Sequence, residues 1–182
     1  FKPLARKLAR KIWNLPENKK LLLFGAMDAT ADPRKGFAEL NGALKKLSPR
    51  NIEAIVFGAR RPAAIPEHKI PMHFMGNIKD EISMAVLYAA ADACVVPSLQ
   101  ENLSNTIMES LACGTPVIAF DLGGNGDMVE HRRNGYLAGA GNVQDLSKGC
   151  NWVLQHKTPA TLSRAARQKV LKEFEANHVA SK

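Results

Sequence analysis

The chain has 182 residues, 46% hydrophobic and 23% charged, with 13 Gly and 10 Pro, an ordinary globular composition that excludes a disordered chain, a collagen and a coiled coil. The length allows one full hydrophobic core or two small domains. Of the net charge of +8, +6 falls in the first 20 residues, where seven Lys and Arg face one acid, Glu17, so a uniformly basic nucleic-acid binder is excluded.

The opening stretch, FKPLARKLAR, is basic but is not followed by the apolar run of roughly 7–15 residues of a secretory signal. No later run approaches the roughly 18–20 apolar residues of a membrane-spanning helix. A start at Phe1 rather than Met points to a fragment. Leu4, Leu8 and Ile12, adjoined by Trp13, line one face of a basic amphipathic helix. Such a helix could lie on an anionic membrane or an acidic partner; its plainer reading is a solvated helix or linker whose packing partner is missing.

From Lys20 onward, short apolar runs alternate with helical patterns. Leu21–Phe24 is a strand ending at Gly25. Phe37, Leu40, Leu44 and Leu47 recur at helical spacing until Pro49. Ile52–Phe57 is a second strand, ended by Gly58, and a loop marked by Pro62, Pro66 and Pro71 leads to a third, Met72–Met75, closed by Gly76. Ile82, Val86 and Ala89 form the inward stripe of a helix starting near Asp80. Ala93–Val96 is a strand stopped by Pro97, and Thr106–Cys113 a helix with Gly114 at its C-terminal cap. Val117–Phe120 is a strand, followed by a Gly-rich turn at 123–126, a short helix and a small strand at Tyr136–Leu137. Two helices, near 143–156 and 159–175, finish the chain.

Short strands buried on both faces and alternating with amphipathic helices predict an α/β fold with a doubly wound, Rossmann-like parallel sheet. Ligands bind such sheets at the carboxyl ends of the strands, near the switch in strand order. The loops to watch are therefore 25–36, 58–62, 76–79, 97–105 and 120–126.

The segment from Ser98 to Glu109 is the most informative. After the strand comes Glu101, then Ser104 and Asn105, both good N-caps, and a helix carrying Glu109. The free N–H groups and dipole of a helix N-terminus attract an anion without side-chain charge. The carboxylates of Glu101 and Glu109 repel phosphate, so they suit sugar hydroxyls instead. A phosphate flanked by two sugars is a nucleoside-diphosphate sugar. Pattern alone equally accommodates a capping residue followed by an exposed helical Glu.

Glu101-x7-Glu109 followed by Ser110-Leu-Ala-Cys-Gly-Thr-Pro-Val117 resembles the EX7E segment of retaining glycosyltransferases of the GT-B fold, most closely family 4. The resemblance extends over nearly the whole chain from Lys20, through Leu22-Leu-Phe-Gly25, Arg34-Lys-Gly36, Ile55-Val-Phe-Gly58, His73-Phe-Met-Gly76, Ala91-Asp92, Gly123-Gly124 and Asn134-Gly-Tyr136. It implies that residues 20–182 are the donor-binding C-terminal half of a two-domain enzyme. Residues 1–19 would then connect to a missing N-terminal acceptor domain.

The same resemblance implies that Lys35 meets the donor diphosphate, Glu101 the transferred sugar and Glu109 the ribose. Main-chain groups of Asn102, Leu103, Ser104, Asn105 and Thr106 would cradle sugar and phosphate. Gly25 and Gly58 would edge the site, and Asn77 and Ile78 after Gly76 would border the nucleobase. The expected ligand is a UDP- or GDP-sugar, passed to a glycan, lipid or polysaccharide, with no cofactor, no metal and no nucleic-acid partner. A cytoplasmic enzyme is expected, with room for peripheral contact with the inner face of the membrane through the full-length enzyme, and the isolated chain should be inactive.

Two departures from the family pattern stand out. The Gly-Arg common after the first strand is Gly25-Ala26 here, leaving Arg34 or Arg60 to supply the second cation. The usual Glu-Gly-Phe-Gly is Glu101-Asn-Leu-Ser104. Competing readings are a non-catalytic nucleotide-sugar-binding module and half of a sugar-nucleotide epimerase.

Other motifs carry less. His68 and His73 lack the companions of a zinc site, and His131, His156 and His178 read as surface residues. Glycines 123, 124 and 126 do not form GxGxxG, and neither a Walker loop nor a GxSxG elbow occurs. Cys113 reads as core. Three cysteines (94, 113 and 150) are too few for a disulfide framework, and an odd count fits a reducing compartment.

Overall fold

The computed structural model describes residues 1–26, 28–62 and 68–174; Pro66, His178 and the last residue expected of the final helix fall outside them. Six strands, β1 (Lys20–Gly25), β2 (Ile52–Phe57), β3 (Met72–Gly76), β4 (Ala93–Val96), β5 (Val117–Phe120) and β6 (Gly135–Ala138), form one parallel sheet in the order β3-β2-β1-β4-β5-β6. Successive strands run outward from β1 to β3, and then the chain crosses back to lay β4 against the other side of β1. This is a doubly wound, Rossmann-like sheet with its switch point between β1 and β4.

Strand alternation divides the core between the two faces. Leu21, Leu23, Cys94 and Val96 pack with helices α3 (Glu81–Ala90), α4 (Asn105–Ala112) and α7 (Pro159–Glu173). Leu22, Phe24, Val95 and Ile118 pack with α2 (Phe37–Leu44) and α6 (Val143–Leu154). A short α5 (Asn125–Met128) follows the Gly-rich turn. Cys113 is core, and all three cysteines are buried and free.

The expected boundaries of β2, β4 and β5 hold to the residue. Helix α4 begins and ends one residue earlier than expected, and Gly114 takes the left-handed conformation (φ 74°) that closes it. Ile82, expected on the inward stripe of α3, is 79% exposed. That helix is buried only from Val86, because its packing is concentrated in its second half.

The basic N-terminal segment is also built differently from a solvated linker. Helix α1 (Arg6–Ile12) packs on α3 through Ala9 and Arg10, whereas Leu8 and Ile12 are 56% and 61% exposed. The Arg10 guanidinium is buried. It donates to Asp92 Oδ2 (2.8 Å) and to the carbonyls of Ala90 (2.9 Å), Glu17 (3.0 Å) and Lys19 (2.9 Å). Asp92 also accepts from Arg6 (3.1 Å) and from the Leu21 main-chain N–H (2.8 Å). Two of the seven cations are therefore structural, tying α1 to the start of β1 and the end of α3.

Removing one partner of a buried ion pair leaves the other charge without compensation. Arg10→Ala should lower unfolding stability by about 3–5 kcal/mol in urea titrations, whereas Leu8→Ala should change it by less than about 0.5 kcal/mol.

Candidate functional site

The loops after β1 and β4 diverge at the switch point and enclose a cavity of about 200 Å³. Its walls are Phe24, Gly25 and Ala26 from β1, Lys35 from the following loop, and Val95 to Ser98 from β4. Glu101, Leu103, Ser104, Asn105 and Thr106 complete it. Of the residues expected at the site, Gly25, Lys35, Glu101, Leu103, Ser104, Asn105 and Thr106 thus meet in one space. Arg34, Gly58, Asn77, Ile78, Asn102 and Glu109 are not part of its lining. Phe24, Ala26 and Ser98 line it without having been singled out; Ser98 carries no motif, and its burial appears only in the fold.

Lys35 is delivered by a 3₁₀ turn, Pro33–Lys35, capped by Asp32, whose Oδ1 accepts from the Arg34 N–H (2.9 Å). Gly36 closes that turn at φ 77°, and a Cβ there would stand 1.9 Å from the Pro97 carbonyl oxygen. The Leu99 N–H donates to the Arg34 carbonyl (2.8 Å), lacing the β1 loop to the β4 loop. The Arg34 side chain turns back onto Asp32, with Nη2 at 2.8 Å from Oδ2. That guanidinium holds the Asp32 carboxyl below the usual carboxylate range. Arg60 is exposed and does not line the cavity either, so Lys35 is the cation that does.

Glu101 is placed from behind by the turn after β5. Gly123 (φ 53°) brings its Cα so close that a Cβ would lie 2.0 Å from the Glu101 carbonyl, and the Gly124 N–H donates to the Asn102 carbonyl (2.8 Å). Helix α4 begins at Asn105 with Ser104 in the capping position, yet among the described residues no side chain caps its first N–H groups. Those donors and the helix dipole open beside Ser104, Asn105 and Thr106 on the cavity wall.

Glu109 stands one turn further along α4, half-buried, with Oε2 accepting from the Tyr88 hydroxyl (3.0 Å). Burial raises its pKa, and the bond from Tyr88 acts against that rise. The Gly58 N–H donates to the Gly76 carbonyl (2.8 Å), joining the loops after β2 and β3 ahead of the exposed Asn77 and half-buried Ile78.

Among the described residues no three His, Cys, Asp or Glu side chains are grouped to hold a metal. His68 is hydrogen-bonded to Asn41 (3.1 Å) and His73 to Glu53 (2.6 Å). No described helix is long and apolar enough to cross a membrane.

Residues 18–156 match the family model described as glycosyl transferases group 1. The chain belongs to that family. It is 27% identical over 179 residues to the D-inositol 3-phosphate glycosyltransferase of Mycolicibacterium smegmatis, covering 92% of this chain and 40% of that protein. Sucrose-phosphate synthase from Thermosynechococcus elongatus superposes with a TM-score of 0.84 at 27% identity, over 100% of this chain and 47% of that one. The C-terminal domain of the group 1 protein LpcC from Francisella tularensis shares the fold (TM-score 0.76, 21% identity), with 97% of this chain and 96% of that domain covered. Anabaena HepE, solved in complex with UDP and glucose, shares it too (TM-score 0.74, 24% identity), over 91% and 47% of the two chains.

This group 1 chain therefore has the GT-B C-terminal fold and spans less than half the length of its M. smegmatis relative. Within that fold Gly36→Ala imposes a left-handed backbone on a residue with a Cβ and drives that Cβ into Pro97. Melting experiments should find it destabilised by about 2–5 kcal/mol.

Proposed function

We propose that this domain binds a nucleoside-diphosphate sugar for a retaining glycosyltransferase that passes a hexose to a glycan, lipid or polysaccharide. The observation that carries the proposal is the switch-point cavity, where Lys35, Glu101 and the uncapped N-terminus of α4 line one space. An ammonium and a row of N–H groups neutralise a diphosphate where it gains charge as the leaving group. Glu101 cannot favour phosphate, but its carboxylate accepts from sugar hydroxyls. Glu109, further along the helix, accepts from the ribose. Gly58, Asn77 and Ile78 lie on the neighbouring loops and would border the base. HepE, of the same fold, holds UDP and glucose, which supports UDP ahead of GDP as the first ligand to try.

The two carboxylates give the sharpest test. Glu109→Ala should weaken UDP and UDP-glucose alike by about 1.5–3 kcal/mol, the worth of a charge-assisted hydrogen bond. Glu101→Ala should spare UDP and weaken only the intact donor. Calorimetry giving both variants the same pattern would remove the proposed division of labour.

The acceptor is assigned to a preceding domain, with residues 1–19 connecting the two. Near-attack geometry between donor and acceptor supplies roughly 7–11 kcal/mol of a transfer barrier, and the residues identified here all serve the donor. Residues 1–182 alone should therefore bind donor yet transfer nothing. Sustained acceptor glycosylation by this chain would place acceptor chemistry within it.

A further inference from the structure

We propose that Tyr88 is a positioning residue that fixes the Glu109 carboxylate in the orientation the ligand meets; this rests on the ribose role given to Glu109 above. Tyr88 is fully buried in α3. Its ring is held edge-on by Phe57 (centroids 6.1 Å apart) and by Phe1 (6.1 Å). Its main-chain carbonyl accepts from the buried Thr115 hydroxyl (2.8 Å). Thr115 is bonded in turn to Ser110, whose hydroxyl donates to the Thr115 carbonyl (3.0 Å) and whose carbonyl accepts from the Thr115 N–H (2.9 Å). Glu109, Tyr88, Thr115 and Ser110 thus form one connected polar chain between α3 and α4.

The phenol takes Oε2 of Glu109 and leaves Oε1, to which no described residue donates. A carboxylate held through one oxygen offers the other to a ligand in a fixed direction. Less side-chain freedom then remains to be lost on binding.

The arrangement has a pH signature. The groups facing Glu109 are Tyr88 and Glu81 from α3 and the thiols of Cys94 and Cys113, joined in the 182-residue chain by the amino group of its first residue. Burial pushes those thiols up to about 12 and about 11, so they stay neutral through the range that matters. Burial favours the neutral form of Glu109, and the Tyr88 O–H favours the charged form. Without that hydroxyl, Glu109 gains its proton at a higher pH and the acceptor is lost sooner on acidification.

The test uses the 182-residue chain labelled with carbon-13 in Glu, as wild type, Tyr88→Phe, Glu109→Gln and the double variant, with UDP and GDP as probes. Tyr88→Phe should raise the Glu109 carboxyl midpoint and raise the nucleotide Kd about fivefold to tenfold at neutral pH. The acid-side loss of binding should move to higher pH. Adding it to Glu109→Gln should change little. Tyrosine replaced by 3-fluorotyrosine, nearly isosteric and a stronger donor, should lower the midpoint and covers the case in which Tyr88→Phe does not fold.

A Tyr88→Phe chain that melts earlier but keeps both the Glu109 midpoint and the nucleotide affinity would overturn the positioning role, as would an unmoved midpoint with 3-fluorotyrosine. Glu109→Gln binding nucleotide as wild type would overturn the ribose assignment and this inference with it. Glu109→Gln weakening the nucleotide while Tyr88→Phe does not would overturn the role of Tyr88 alone.

Discussion

The contact between Gly36 and the Pro97 carbonyl decides whether the site exists. β1 and β4 are neighbours in the sheet, but their loops leave it in opposite directions, as a switch point requires. A cavity opens there only if the two loops are drawn back toward each other above the strand ends. The missing Cβ at Gly36 permits that approach, and the Leu99 N–H to Arg34 carbonyl bond secures it. Lys35 is adjacent to the contact in sequence and therefore in space. Its ammonium is placed by main-chain packing, and no side chain among the described residues pairs with it, so on the proposed reading its charge is left for a ligand.

A second close approach, Gly123 against the Glu101 carbonyl, does for the opposite wall what Gly36 does for Lys35. Both glycines have positive φ, so the backbone conformation and the lack of a side chain are needed together. The two charged residues of the cavity are thus each set by a glycine's close approach, Lys35 by its own neighbour Gly36 against Pro97 and Glu101 by Gly123 from another segment. The pattern accounts for placement on loops: the loops bear on strand ends and on each other, and the ends of β1 and β4 beneath them are buried.

Much of this was legible in the sequence, for identifiable reasons. Strands buried on both faces read as mainly apolar runs, broken in Ile52–Phe57 only by the half-buried Glu53, so that run and Val117–Phe120 could be bounded by the residues that end them. That Lys35, Glu101 and Ser104 to Thr106 share one cavity was legible because each sits where a strand gives way to a loop or helix. Ile82 was misplaced because periodicity finds the apolar side of a helix without saying how much of its length is covered. In the N-terminal segment the Leu4, Leu8, Ile12 stripe is legible, but the contact of α1 with α3 is made through Ala9 and Arg10, and nothing local announces a buried ion pair to Asp92, more than eighty residues away in sequence. Arg34 was a reasonable candidate for the second cation until Asp32, two residues earlier, proved to hold it.

The charge inside the cavity now constrains how an anion could bind. Among the described residues its lining carries one cation, Lys35, and one carboxylate, Glu101, so these side chains alone give no net attraction for a diphosphate. The favourable field must come from the N-terminus of α4, worth about half a positive charge, and from N–H groups that no side chain caps. Such a field is short-ranged and directional, falling off within about one helical turn. On the proposed reading, recognition is then governed by how accurately the phosphate reaches the first turn of α4 rather than by long-range steering. The surplus of the chain's positive charge lies in the N-terminal segment, where Arg6 and Arg10 are already engaged with Asp92. On the proposed reading, selectivity for a ligand with hydroxyl-bearing groups on both sides of its phosphates follows from the carboxylates: without donors for Glu101 and Glu109, each remains a partly buried charge near the anion. A bare phosphate meets that repulsion in full, whereas a ligand whose hydroxyls reach both carboxylates turns it into hydrogen bonds.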